Sequence, residues 1–439
     1  MKNKLKKIYI FLPIFFMLGI VSILKTVNND QIWTYGFSYN IAKGLIPYKD
    51  FNMVIGPLYS LLCSVPIRIF GNYLICFKLF NVFIYSLILM FVYKKINKKT
   101  ILLILFLFIP STFSIYNDFI AMLTILILVL LDSDYKYREH IIAFIIGFIL
   151  MTKHNVGLIL FIIFFLTSKQ KKNIIYSLIP IGFSIGYLLF TNSFKEYIDI
   201  CFLGMGSFLS NLKIEVPSLI IIVLLFIYYV HRYIKIKDIK ILYILGFLII
   251  SFPIIESEHL LVGLIPVIYY ILKEEYNTII YKLILIFIIL GSITSIISLN
   301  KNKLIKDNNF LKYNLLTKGI NSDLKNYSKY LNSFDDNTYL FIKNAYILRL
   351  YNNKTTSFYD LINKGNLGSD ENKYIDKISK NCSSEKCIFI LDKVYFDKDK
   401  NNNGQLSSTF KKYVIDNYDY VETIPSGDRL YSNEKRINN

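Results

Sequence analysis

Residues 73–99 read YLICFKLFNVFIYSLILMFVYKKINKK. An apolar run of about 20 residues that ends on a lysine cluster has the pattern of a bilayer-spanning helix with a cytoplasmic loop behind it. The pairing recurs along the first three hundred residues. A second lysine-rich loop, KQKKN, lies at 169–173, and four lysines crowd MKNKLKK at the start. Of the 439 residues, 54% are hydrophobic and 16% aromatic, and the mean hydropathy is +0.44. An ordinary soluble domain is less apolar and interrupts its apolar runs sooner.

Threading from a cytoplasmic N-terminus gives spans at 8–27, 73–93, 100–115, 119–131, 141–151, 156–167, 174–190, 218–231, 241–254, 260–272 and 279–299. The expectation is an α-helical polytopic membrane protein with about 11 transmembrane helices, N-terminus inside and tail outside. Several spans are short, which burial in a bundle and local bilayer thinning accommodate. The inner segments hold about 18 Lys and Arg, against about 5 Lys in the outer loops (Lys43, Lys49, Lys153, Lys195 and Lys213) and Arg68, the bias that sets orientation. The first span reads as an uncleaved anchor, because Lys25-Thr26-Val27-Asn28 offers no small-residue cleavage site. In the first outer loop, QIWTYGFSYNIAKG and PLYSLLCSVPIRIFG read as amphipathic helices lying at the membrane interface.

The net charge of +19 belongs to these loops and to a mixed-charge tail, not to one basic face, so it argues against a nucleic-acid partner. Residues 1–300 therefore read as a transmembrane domain and 301–439 as a small extracytoplasmic α/β domain. In the tail, TYLFI at 338–342 and CIFILD at 387–392 have the character of buried strands. AYILRLYNN at 345–353 has helical spacing, KKYVIDNYDYVETI reads as helix then strand, and RLYSN as a strand. Cys63, Cys76 and Cys201 sit in or beside apolar segments as small hydrophobes. Cys382 and Cys387 either pair, if the tail is outside the cytoplasm, or stay free.

Five small clusters that contain acids or histidines emerge on the outer face of this threading: NNDQIW (28–33), PYKDF (47–51), YND (116–118), TKHN (152–155) and ESEH (256–259). Ionisable groups at membrane depth are costly and read as functional by default. Asp30 beside Trp33 suits a general base acting on a hydroxyl; capping a helix is its bland alternative. Asp50 is the rival base, or a turn-stabilising residue after Gly44 and Pro47. Asp118 lines the same site or caps the helix that follows. Lys153, on the outer face against the charge trend, suits a lipid phosphate, or snorkels to the headgroups. His154, Glu256 and His259 complete the candidate substrate-binding set; His259 suits phosphate or a proton, or is a satisfied helix-end histidine. A divalent metal on His154, His259 and aspartates is a further option that no ligand spacing demands.

The stretch NNDQIWTYGFSYNIAKGLIPYKDFNMVIGPLYSLL (28–62) resembles the first outer loop of GT-C superfamily glycosyltransferases, those similar to aminoarabinose transferases and protein O-mannosyltransferases. Ala42, Gly44, Pro47, Tyr48, Asp50, Phe51 and Pro57 carry the resemblance. YNDFIAML, GFILMTKHNVGL and FPIIESEHLLVGLIP look like later segments, so it covers roughly residues 1–300. The resemblance implies an inverting transferase of the cell envelope that uses a polyprenyl-phosphate-sugar donor and a glycan, lipid or wall-polymer acceptor. It puts Asp30 in the position of the catalytic acid. Gln31 departs from the pattern, in which a second acid often follows the first, and this keeps Asp50 as a rival. Two other classes are weighed beside it. A transporter or flippase of lipid-linked saccharides would show repeated halves and broken helices, which the sequence does not display. A polymerase or ligase of another fold would carry its large functional loop late in the chain. A non-catalytic scaffold is a third reading, since Gln31 breaks the acid pair.

The threading predicts that, in a cysteine-less background, a cysteine at Gly404 is labelled from outside intact cells and one at Asn97 is not. Labelling at 97 but not at 404 would overturn the orientation.

Overall fold

The computed structural model describes residues 2–93, 115–204, 214–252, 255–274, 278–299, 301–327, 337–361, 366–396 and 408–433. The protein is mostly helical, with short strands only toward the C-terminus. The helices in the first three hundred residues are α1 (Lys2–Leu24), α2 (Asn29–Ala42), α3 (Leu58–Phe70), α4 (Leu74–Tyr93), α5 (Tyr116–Leu131), α6 (Arg138–Leu150), α7 (His154–Thr167), α8 (Leu178–Phe190), α9 (Phe194–Ile198), α10 (Val216–Ile236), α11 (Ile239–Leu248), α12 (Ser257–Glu274) and α13 (Ile279–Leu299). Ten of the expected spans coincide with α1, α4–α8 and α10–α13; the one at 100–115, like the KKINKK loop and Lys213, lies outside the described residues. By length and composition, three described helical stretches can cross a membrane: Leu74–Tyr93, Lys171–Phe190 and Val216–Ile236. Helices as short as α6, at 13 residues, reach only about 20 Å at 1.5 Å per residue.

The first outer loop departs from expectation in α2. Ten of its residues are buried, Gln31 through Ile41 with Trp33 excepted, so it has no wet face and is not an amphipathic interface helix. A helix apolar or buried all round belongs to a core. Helix α3 keeps the expected character: Tyr59, Cys63 and Ile67 face inward while Val65, Ile69 and Phe70 remain exposed. Its Arg68 donates to the Ile41 carbonyl at 3.0 Å, placing a cation at the negative end of α2.

After α13 the chain forms a hairpin of β1 (Lys303–Ile305) and β2 (Asn314–Leu316), helix α14 (Lys318–Asn326), and a four-stranded sheet. The sheet holds β3 (Thr338–Phe341), β4 (Ile388–Leu391), β5 (Asp419–Thr423) and β6 (Arg429–Ser432) in the order β3-β4-β6-β5. Strands β3 and β4 are parallel, and α15 (Ala345–Tyr351) and α16 (Asn372–Cys382) lie in the connection between them. α17 (Ser408–Asn417) precedes β5. Each strand and helix read from the tail sequence is therefore present. Cys382 and Cys387 form a disulfide, with Cα atoms 5.6 Å apart.

The tail is knit to the helices. Val27 N–H donates to the Leu315 carbonyl at 2.9 Å, and Leu74 N–H to Phe310 at 3.1 Å. One continuous apolar core runs from Ile14 to Tyr431. At the outer edge of the sheet, Arg349 reaches the Thr338 carbonyl of β3 at 2.5 Å and forks onto Asp360 at 3.0 and 3.2 Å. Both side chains are buried, and Ser357 N–H also donates to Asp360 at 2.7 Å. Removing one member of a buried pair strands the other charge, which costs about 3–5 kcal/mol. We therefore expect Asp360→Ala to lose that much stability; thermal unfolding in detergent checks it, and an unchanged melting temperature would contradict it.

Candidate functional site

Asn28 is the N-cap of α2. Its side-chain oxygen accepts the Gln31 N–H at 2.9 Å, so the capping role is filled and Asp30 sits in the first turn without it. The Asp30 carboxylate closes no hydrogen bond or ion pair with a described residue. It is surrounded instead by charges. Burial pushes its pKa above the ordinary carboxylate range; His259, Lys153 and Lys343 pull it down, and Glu256 pushes it up. Charges from three parts of the chain remote in sequence thus act on one carboxyl group.

Lys153 occupies the junction of α6 and α7, at the N-cap of α7. Its ammonium donates to Asn117 Oδ1 at 3.2 Å and to the Ile250 carbonyl at 3.0 Å, and sits 5.8 Å from the centre of the Tyr116 ring. It is a hub that ties α5 and the turn before α12 to the α6–α7 junction. Burial lowers its pKa to about 7, with the Asp30 charge opposing. His259, on the first turn of α12, lies 3.2 Å from Glu256 through Nδ1. Asp118, on the first turn of α5, is fully buried, and neither carboxyl oxygen has a hydrogen-bond partner among the described residues. A bare buried carboxyl group is costly. It is close enough for its charge and that of Asp30 to act on each other.

Two sequence candidates stand elsewhere. Asp50 is exposed, and its carboxylate accepts the Ile46 N–H at 2.7 Å while its own N–H returns to the Ile46 carbonyl at 2.9 Å. It braces the turn in which Tyr48 takes a positive φ of 68°. His154 is bonded through Nε2 to the Tyr197 hydroxyl at 2.5 Å and packs on Phe202, with ring centres 4.7 Å apart. That aromatic nest, which includes Tyr48, is not among the charges acting on Asp30. Among the described residues no three His, Cys, Asp or Glu side chains are grouped to hold a metal ion.

Three cations escaped the sequence reading. Lys343 comes from the tail, 313 positions past Asp30 by simple subtraction of residue numbers, and no local pattern could pair them. Lys25 acts on Asp118 from the end of α1. Lys78 is fully buried in α4 and donates to the Lys25 carbonyl at 3.4 Å; a lone lysine inside an apolar run was the available signal.

No family model matches the chain, and no curated protein matches it. Among solved structures, it is similar to the archaeal oligosaccharyltransferase AglB from Archaeoglobus fulgidus, in complex with an inhibitory peptide and a dolichol-phosphate. Sequence identity is 10%, the TM-score is 0.44, and the match covers 97% of this chain and 74% of that one. At this degree of likeness the chemistry of the site rests on its own residues.

The charges around Asp30 give a signed expectation. Its carboxyl should titrate above 3.8, the ordinary value. Lys153→Met, which removes a cation, should move that midpoint higher still. Infrared titration of the carboxyl band, with Asp30→Asn as the blank, checks both; a midpoint at or below the ordinary value would contradict them.

Proposed function

We propose that the protein is a polytopic membrane glycosyltransferase of the GT-C type, which moves a sugar from a polyprenyl phosphate to an acceptor hydroxyl outside the cytoplasmic membrane. The observation that carries this is the state of Asp30: a carboxylate relieved of capping by Asn28, free of hydrogen bonds to described residues, and ringed by Lys153, His259, Glu256 and Lys343. A base must be uncommitted to accept a proton, and a raised pKa brings it nearer to working pH. The resemblance of residues 28–62 to the first outer loop of GT-C enzymes points to the same residue.

In this reading Asp30 takes the proton of the acceptor hydroxyl. The hydroxyl oxygen attacks the anomeric carbon from the face opposite the phosphate, which inverts the configuration. The bond between that carbon and the phosphate oxygen breaks, and its electron pair leaves on the polyprenyl phosphate. Cations beside the site stabilise the charge gathering there. Lys153 holds its neighbours through two of its donors and offers the remainder of its charge. His259 is oriented by Glu256. Asp118 lies behind Asp30 and tunes it. Asp50 and His154 shape the loop and aromatic wall farther out. The acceptor is a glycan, lipid or wall polymer of the cell envelope.

The same reading takes eleven crossings, the N-terminus in the cytoplasm, a membrane domain at 1–300 and an extracytoplasmic domain at 301–439. The Cys382–Cys387 disulfide supports a tail in an oxidising compartment. The lysine bias supports the orientation.

A general base contributes about 10²–10⁴-fold to rate. Asp30→Asn should leave expression and membrane insertion intact and lower sugar transfer by at least the smaller factor. Asp50→Asn is the control. Transfer that survives Asp30→Asn but is lost with Asp50→Asn moves the base to Asp50, and transfer that survives both removes the mechanism from this loop.

A further inference from the structure

Lys343 stands on the turn between β3 and α15, on the tail side of the site. That turn is held from both flanks. The Lys343 N–H donates to the Asp392 carboxylate, which also takes the Val394 N–H at 3.0 Å. The Asn344 amide donates to Asp323. Ile342 and Ala345 are buried on either side. One residue on, Tyr346 packs against α2: its ring stands 5.8 Å from that of Phe37, edge to face, and occupies the space a Cβ on Gly36 would need. The backbone of the turn is therefore fixed relative to the helix that carries Asp30. The Lys343 side chain is exposed and closes no hydrogen bond or ion pair with a described residue. A long cation held at its root and exposed at its tip, on a turn locked against the helix that carries Asp30 and with its charge reaching that carboxyl, is what an incoming anion would meet.

The other cations of the site are committed. Lys153 is bonded to Asn117 and the Ile250 carbonyl and is half-buried, and His259 stands against Glu256. Lys78 is fully buried. We propose that Lys343 is the residue of the tail that binds the phosphate of the lipid-linked donor over Asp30. This rests on the function proposed above for the identity of the donor. It gives the tail a direct part in substrate binding: the membrane helices supply the base and the tail supplies the phosphate contact. The bond is a charge-assisted one between an ammonium and phosphate oxygens, and no covalent step is involved.

The test uses the full chain in nanodiscs of zwitterionic lipid, with polyprenyl phosphate as the probe and inorganic phosphate as the soluble alternative. Lys343→Ala should weaken polyprenyl phosphate binding by about tenfold or more, the factor a charge-assisted contact carries. Lys343→Arg should keep it within about threefold, since the charge remains. In transfer assays the loss should fall on the donor KM and spare kcat. Thermal unfolding should not change, because the side chain is exposed. Unaltered binding in Lys343→Ala, or equal loss in Lys343→Arg, overturns the assignment. So does a Lys343-dependent affinity for inorganic phosphate with none for the lipid. If transfer proves independent of Asp30 while the Lys343 effect on the lipid persists, the base reading fails and the phosphate contact stands. If the wild-type protein binds no polyprenyl phosphate, both fail.

Discussion

The buried amide of Asn40 ties α2 to the tail, and the rest of the candidate site depends on that joint. It sits near the end of α2, fully buried, and its hydrogen bonds go to one residue of the tail. The amide nitrogen donates to the Thr356 hydroxyl at 2.6 Å and carbonyl at 3.2 Å, and the amide oxygen accepts the Thr356 N–H at 3.0 Å. A buried polar group without partners costs about 1–3 kcal/mol, so α2 is at ease only with the tail in place. Tyr39 adds a bond to the Asn353 carbonyl at 3.3 Å, and Gly36 leaves room for the Tyr346 ring. The helix that carries Asp30 is thus a shared element, fastened below to the membrane helices and above to the tail.

That placement explains the electrostatics of the site. Asp30 feels charge from α12 and the residue before it (His259 and Glu256), from the α6–α7 junction (Lys153) and from the tail (Lys343). The cations are not equivalent. Lys153 spends its donors on neighbours, so its charge acts at a distance; Lys343 has donors to spare. Asp118 is bare and fully buried among the described residues, and burial pushes its carboxyl well above the ordinary carboxylate range, toward the neutral form. Burial raises the Asp30 carboxyl above the ordinary range while the neighbouring cations pull it back.

The apolar runs and their lysine punctuation made the helices legible, because a bilayer demands length and composition that few other environments do. The strands of the tail were legible for a similar reason: TYLFI and CIFILD are short, β-rich and bounded by polar residues, and both are strands here. Asp30, Lys153, Glu256 and His259 share one face in the threading, and the last three act on the charge of the first. What escaped was whatever depended on tertiary partners. QIWTYGFSYNIAKG carries polar residues that read as a wet face, but Asn40 and Ser38 are buried and bonded. Asp50 has two readings, rival base or turn brace, and one of its carboxylate oxygens is seen bracing the turn. Lys343 lies in an ordinary stretch of the tail, and only the folded chain reveals its neighbour.

The bond between Asn40 and Thr356 spans 316 positions. A ribosome adds roughly 5–20 residues per second, so α2 leaves it long before its partner exists. During that interval its amides are answered by water, headgroups or the insertion machinery, and Asp30 has no roof. The contact between α2 and the tail is therefore made late. A nascent or prematurely terminated chain has α2 without the residue that satisfies its buried amide.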